Sequence, residues 1–152
     1  MSVSVQREDF DIAAEMEALT ARSRKIGAVV SFTGLVREMA EGGALSAMEL
    51  EHYPGMTERA LEEIVAKAQA RWPLDGVRVI HRVGPLDPGA RIVLVLTASR
   101  HRQAAFEAAE FLMDYLKTRA PFWKKEESPE GGAWVDARES DDAAAARWVS
   151  RE

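Results

Sequence analysis

Apolar positions along the chain change period several times, and each change marks an element. Val3 and Val5 alternate with serine, which predicts a short first strand. Ile12, Met16 and Leu19 lie four and then three residues apart, one face of a helix from about Asp11 to Arg22. Residues 26–36, IGAVVSFTGLV, are β-branched and aromatic and predict a strand, followed by the polar, glycine-ended loop REMAEGG. LSAMELEHY (45–53) alternates and predicts a second strand, broken by Pro54 and Gly55. Leu61, Val65, Ala68 and Trp72 mark a helix that ends before Pro73. In GVRVIHRVG (76–84), Val77, Val79, His81 and Val83 share one face of a strand, and PLDPG reads as a turn. RIVLVLTAS (91–99) is almost continuously apolar, the pattern of a strand buried on both faces. A long helix follows over about 101–120 and stops at Pro121. FWKKEES and GAWVDA flank a Gly-Gly and predict a hairpin, and a short helix runs from about Ser140 to Val149.

The order β-α-β-β-α-β-β-α-β-β-α is not a regular β-α alternation. It predicts an α+β fold with mixed sheets rather than a doubly wound one. The 152 residues suit one domain spanning 1–152. No apolar run is long enough to cross a membrane, and the N-terminal MSVSVQREDFD lacks the pattern of a signal peptide, so the expectation is a cytoplasmic protein. The absence of cysteine excludes disulfides, zinc-thiolate sites, iron–sulfur clusters and a cysteine nucleophile. A net charge of −5 argues against general nucleic-acid binding, so an anion site must be a local basic cluster.

Two such clusters stand out. Phe106, Met113 and Lys117 are seven and four residues apart and share a helical face. Beyond the Pro121 corner, strand alternation puts Phe122 and Lys124 on one side and Trp123 and Lys125 on the other. A strand folding back past the helix end brings Lys124 towards Lys117. Two desolvated ammonium groups depress each other's pKa, which makes one a better nucleophile or proton acceptor; alternatively, these lysines are solvated charges complementing the helix dipole. At the other end of the helix, SRHR (99–102) can bind an anion through His101, Arg100 and Arg102, unless Ser99 merely caps the helix. Arg37, at the end of SFTGLVR, is either a further anion ligand or an exposed strand-end charge, and Gly34 suggests a bulge or the close approach of another backbone or a ligand. His81 and His52 read as hydrogen-bonded core residues. Three dispersed histidines give no metal site, and no dinucleotide, P-loop or serine-hydrolase motif is present.

Helix geometry adds a constraint. His101 and Lys117 are sixteen residues apart, roughly 24 Å along the axis at about 1.5 Å per residue. One small-molecule pocket cannot easily use both from a single chain. If both serve one ligand, a second copy supplies one of them, and the pockets lie at a dimer interface.

Five stretches, GAVVSFTGLVR (27–37), LEHYPGMTE (50–58), HRVGPLDPG (81–89), SRHRQAAFEAAEFLMDYLKTRAPFWKKE (99–126) and WVDAR (134–138), resemble in order the large, catalytic subunit of molybdopterin synthase, the MoaE family. The resemblance implies an α/β-hammerhead with an additional antiparallel sheet. It implies a sulfurtransferase that uses no cofactor or metal for its own step. In that family, sulfur from the C-terminal Gly-Gly thiocarboxylate of a small ubiquitin-like subunit goes to cyclic pyranopterin monophosphate (precursor Z), forming the dithiolene of molybdopterin. It further implies a homodimer with one small subunit at each end, a heterotetramer. Carried over by position, Lys117 and Lys124 correspond to the pocket lysines. Arg37, His101 and Arg102 correspond to the substrate-anion site, the latter two reaching across the dimer. Phe32 and Met113 correspond to pocket walls, and Arg138 to a further basic residue. The loop 38–46, Ala109 and Arg100 depart from the family's usual residues, and none of these departures removes a residue with a chemical role. Two other readings compete: a non-catalytic scaffold for a ubiquitin-like partner, and a single-stranded RNA platform built from Phe122, Trp123, Lys124 and Lys125. The retained lysines weigh against the first and the acidic net charge against the second.

Overall fold

The computed structural model of the chain describes residues 2–37, 48–128, 131–135 and 139–149. In chain order the elements are β1 (Val3–Gln6), α1 (Ile12–Thr20), β2 (Ala28–Leu35), β3 (Met48–His52), α2 (Met56–Arg71), β4 (Leu74–Arg82), β5 (Gly84–Leu86), β6 (Arg91–Ser99), α3 (Arg102–Arg119), β7 (Phe122–Ser128), β8 (Gly131–Val135) and α4 (Glu139–Val149).

The apolar run of β6 lies inside the first sheet, whose order is β1-β4-β6-β2. β1 pairs in parallel with β4, Val3 opposite Val79, whereas β4 and β2 flank β6 antiparallel, so this sheet is mixed. Alternate residues of β6 feed two different cores, as the two-residue period of a strand requires. Val93 and Val95 join Leu61, Val65, Phe111, Leu112 and Trp148 on the face covered by α2 and α3. Leu94, Leu96 and Ala98 join Phe10, Leu19 and Ile80 beneath α1. Each fully buried leucine or phenylalanine contributes about 1.5–3 kcal/mol, which is why this run needs no polar face. The ion pair of Arg78 with Glu15, 3.1 Å, ties α1 to β4.

The second sheet, β5-β3-β7-β8, is antiparallel throughout. Together the two sheets and four helices make the α+β architecture expected from the sequence. Two local readings need correction. Pro85 and Leu86, the start of the stretch read as a turn, form β5 together with Gly84 and pair with Met48–Leu50. A three-residue edge strand centred on a proline carries no alternation by which to recognise it. Gly131 and Gly132, read as the break between the two strands, belong to β8, opposite Ser128 and Glu127.

Candidate active site

Helix α3 is the beam on which the site is built. Ala105, Ala108, Ala109, Phe111, Leu112, Tyr115 and Leu116 form its buried face. Arg102, Phe106 and Lys117 are exposed on it, and Met113 is half-buried. The Phe106–Met113–Lys117 stripe predicted from spacing therefore reaches the surface. The helix starts close to the end of β6, where the Thr97 hydroxyl donates to the Ala105 carbonyl at 2.7 Å, so it runs back over the sheet. It ends at Ala120, whose backbone is extended (φ −79°, ψ 137°), and Lys117 and Arg119 occupy the last turn, where cations complement the helix dipole.

The N-cap position is His101, which makes no side-chain capping bond. Ser99 is not the cap, one of the two readings of SRHR; its hydroxyl is buried and donates to the Pro73 carbonyl at 2.8 Å. The strand-to-helix connection uses it to hold the start of β4 rather than the first turn of α3. His101 and Arg102 are exposed at this end, beside first-turn N–H groups that have no partner within the helix.

Strand β2 runs in the same direction as α3 and carries the other anion candidate. Its first residue, Ala28, pairs with Ser99 next to the start of α3. Arg37 follows the far end, ten residues beyond Gly27, roughly 33 Å of extended chain. Two backbone bonds fix that end: the Val36 N–H donates to Ala90 O at 2.9 Å, and the Gly89 N–H donates to Val36 O at 2.7 Å. The predicted irregularity at Gly34 is present as a register shift between Gly34 and Leu35. A Cβ at Gly34 would lie 2.7 Å from Val93 Cγ1, so what comes close here is a neighbouring side chain rather than another backbone. Phe32, two residues earlier, is 41% exposed although aromatic.

The Pro121 corner turns the chain from α3 into β7. The half-buried Phe122 opens that strand, and its ring stacks on the His81 imidazole with 3.8 Å between centroids and 17° between planes. His81 is buried, and its Nδ1 bonds the Arg82 carbonyl at 2.9 Å. A carbonyl only accepts, so Nδ1 carries the proton. His81 is thus the hydrogen-bonded core histidine expected. His52 is not: it is half-buried, and among the described residues its Nδ1 has no hydrogen-bond partner and lies 3.7 Å from Glu58 Oε1. Lys124 is placed by backbone register, opposite Leu50 of β3 and Val135 of β8.

The fold therefore sorts the candidates into two groups within one chain. Arg37, Lys117 and the start of β7 stand at one end of α3 and β2, and His101 and Arg102 at the other. Phe32 and Met113 lie between. Arg138 and the loop 38–46 fall outside the described residues. Among the described residues, no group of three or more acidic or histidine side chains is placed to hold a metal ion. The Phe122–His81 stack was not foreseen, because periodicity places each residue on a face without pairing faces across two sheets.

The family model described as MoaE protein matches residues 5–119. The molybdopterin synthase catalytic subunit of Mesorhizobium japonicum is 62% identical over 151 residues, 98% of this chain and 94% of that protein. The MoaE protein of molybdopterin biosynthesis from Burkholderia ambifaria superposes with a TM-score of 0.85 at 56% identity, covering 97% of each chain. The crystal structure of molybdopterin synthase from Staphylococcus aureus superposes with a TM-score of 0.81 at 32% identity, covering 87% of this chain and 95% of that one.

Proposed function

The chain belongs to the MoaE family and acts as the catalytic, sulfur-transferring subunit of a molybdopterin synthase, and we propose the following division of labour among its residues. The small subunit's C-terminal thiocarboxylate enters at the Lys117 end of α3. Its sulfur bonds to a carbon of precursor Z as a carbon–oxygen bond at that carbon breaks and the oxygen departs with a proton as water, giving an acyl-sulfur adduct. Water adds to the acyl carbon, and the carbon–sulfur bond then breaks. The sulfur stays on the pterin, and the small subunit leaves with an ordinary carboxylate. Negative charge develops on the acyl oxygen during this step, and the ammonium groups of Lys117 and Lys124 stabilise it. One of them also moves a proton at the leaving carboxylate.

Arg37, with His101 and Arg102 from a second copy of the chain, holds the cyclic phosphate. Arginine suits this task through its fixed fork of donors, and the start of α3 adds unpartnered N–H groups. Phe32 and Met113 form the apolar walls beside the pterin, and Arg138 adds positive charge at the rim. Work in the cytoplasm is part of this proposal. Separately, no helix among the described residues is long and apolar enough to cross a membrane.

The observation that supports this reading most is the placement of Lys117 in the last turn of α3, one corner before the strand that carries Lys124. The test is mass spectrometry of the product after mixing the chain, thiocarboxylated small subunit and precursor Z. Lys117→Ala is expected to abolish formation of the dithiolene product. Normal conversion by that variant would defeat the assignment.

A further inference from the structure

Helix α4 meets α3 through a carboxylate rather than through apolar contacts alone. The Trp148 indole N–H donates to Asp114 Oδ2 at 2.6 Å, and Arg147 Nη2 reaches the same oxygen at 3.1 Å. Arg147 also pairs with Glu110, one turn earlier on α3. Trp148 is 2% exposed. Its ring meets Trp72 and Phe111 edge-on, with centroids 5.7 and 5.6 Å away. From α2, the Arg71 guanidinium covers the same ring and donates to the Trp148 carbonyl at 3.2 Å.

Apolar packing alone would bury an aromatic ring here without fixing the helix to one register. The N–H bond to a charged acceptor is directional and short, so it sets where α4 stands along α3. Asp114 lies three residues before Lys117, roughly 4.5 Å along the axis and within one turn. Its own carbonyl accepts from the Thr118 hydroxyl at 3.0 Å. The last carbonyls of α3 have no helical partner, since Pro121 prevents continuation. A helix end of this kind frays unless it is tied from outside, and Asp114 is where α4 ties it.

We propose that Trp148 and Asp114 are positioning residues for the sulfur transfer: their bond makes α4 a latch that holds the Lys117 end of α3 in its working place. The inference rests on the role given to Lys117 above. It extends the working parts of the enzyme to a helix that lies beyond residues 5–119, the span of the family-model match.

The test uses the assembled two-subunit synthase. Trp148→Phe keeps the ring and removes the N–H. It is expected to raise amide hydrogen exchange at residues 112–119 relative to 102–108. It is also expected to lower kcat about tenfold, since small misplacements of reacting groups have large effects, with KM for precursor Z within about twofold. Asp114→Asn retains an oxygen that accepts the indole N–H and keeps most of kcat, whereas Asp114→Ala behaves as Trp148→Phe. The proposal is overturned if folded Trp148→Phe has unchanged kcat, or if exchange rises equally along all of α3. A fully active Lys117→Ala chain would instead remove the role of the lysine, while the exchange pattern would still decide whether the latch exists.

Discussion

The Phe122 ring lies flat on the His81 imidazole, 3.8 Å away and 17° from parallel, so the first residue of β7 in one sheet is fastened to β4 in the other. This contact fixes the strand that carries Lys124 at its origin. His81→Ala removes a buried ring, its hydrogen bond to Arg82 O and the surface on which Phe122 rests. The expected cost is roughly 2–4 kcal/mol of unfolding free energy, the range for a large-to-small core change that also loses a hydrogen bond. Urea denaturation of the variant measures it. A loss below about 0.5 kcal/mol, the scale of ordinary surface substitutions, would show that the stack carries no weight.

Two glycines beside the anion candidates differ in what an added methyl would strike. At Gly34 a Cβ would meet the Val93 side chain at 2.7 Å, and at Gly27 it would meet the Arg100 backbone carbonyl at 2.2 Å. A side chain can rotate or be shortened, whereas a backbone carbonyl moves only with its neighbours. Gly34→Ala is therefore expected to destabilise by about 1–3 kcal/mol, with part of the loss recovered in Gly34→Ala/Val93→Ala. Gly27→Ala displaces Arg100 and with it His101. It should weaken precursor binding beyond its effect on stability, read as a rise in KM measured well below the melting temperature.

The Asp9–Arg91 pair gives the stability a defined acid dependence. The hydrogen bond from Arg91, 2.9 Å, and then the one from the Phe10 N–H hold the Asp9 carboxyl below its usual value of 3.8. A lowered carboxyl pKa stabilises the fold above the unfolded value, and that contribution disappears as pH falls through the lower, folded value. Both side chains are solvent-accessible, so the contribution is at most about 1 kcal/mol. Asp9→Asn should be slightly less stable than the parent chain at pH 7 and indistinguishable from it below the folded pKa. A difference that persists at low pH in denaturant titrations would contradict this origin.

Much of the fold was legible because the burial of β6 and of the α3 face leaves simple periods in the sequence. RIVLVLTAS reads as two-sided burial because alternate residues do enter two different cores. Gly34 announced its bulge because a glycine inside a strand often marks one, and the register does shift between Gly34 and Leu35. What escaped notice depends on contacts between elements distant in sequence. Ser99 resembles a helix cap, yet its hydroxyl is taken by Pro73, 26 residues earlier. Trp148 follows an alanine run that shows only a short helix, and Asp114 looks like one more charge on α3; their bond spans 34 residues. The lysines of the site were visible as residue types, and spacing alone left them as either functional or solvated. Family resemblance supplied their proposed role, and the separation of Lys117 from His101 was already legible as the length of one helix, which the fold keeps unbroken from Arg102 to Arg119.

That separation makes the central claim testable without any further structure. If each pocket takes Lys117 from one copy and His101 from the other, chains broken at different ends complement each other. Lys117→Ala and His101→Ala chains, each assembled alone with thiocarboxylated small subunit, are expected to convert little precursor Z. Mixed in equal amounts and allowed to exchange subunits, half of the dimers become hybrids, each with one intact pocket. Activity should then return to about a quarter of the wild-type level, the share of intact pockets in a randomly paired symmetric dimer. A mixture that stays as inactive as its two components, with subunit exchange demonstrated, would contradict a pocket shared between two copies.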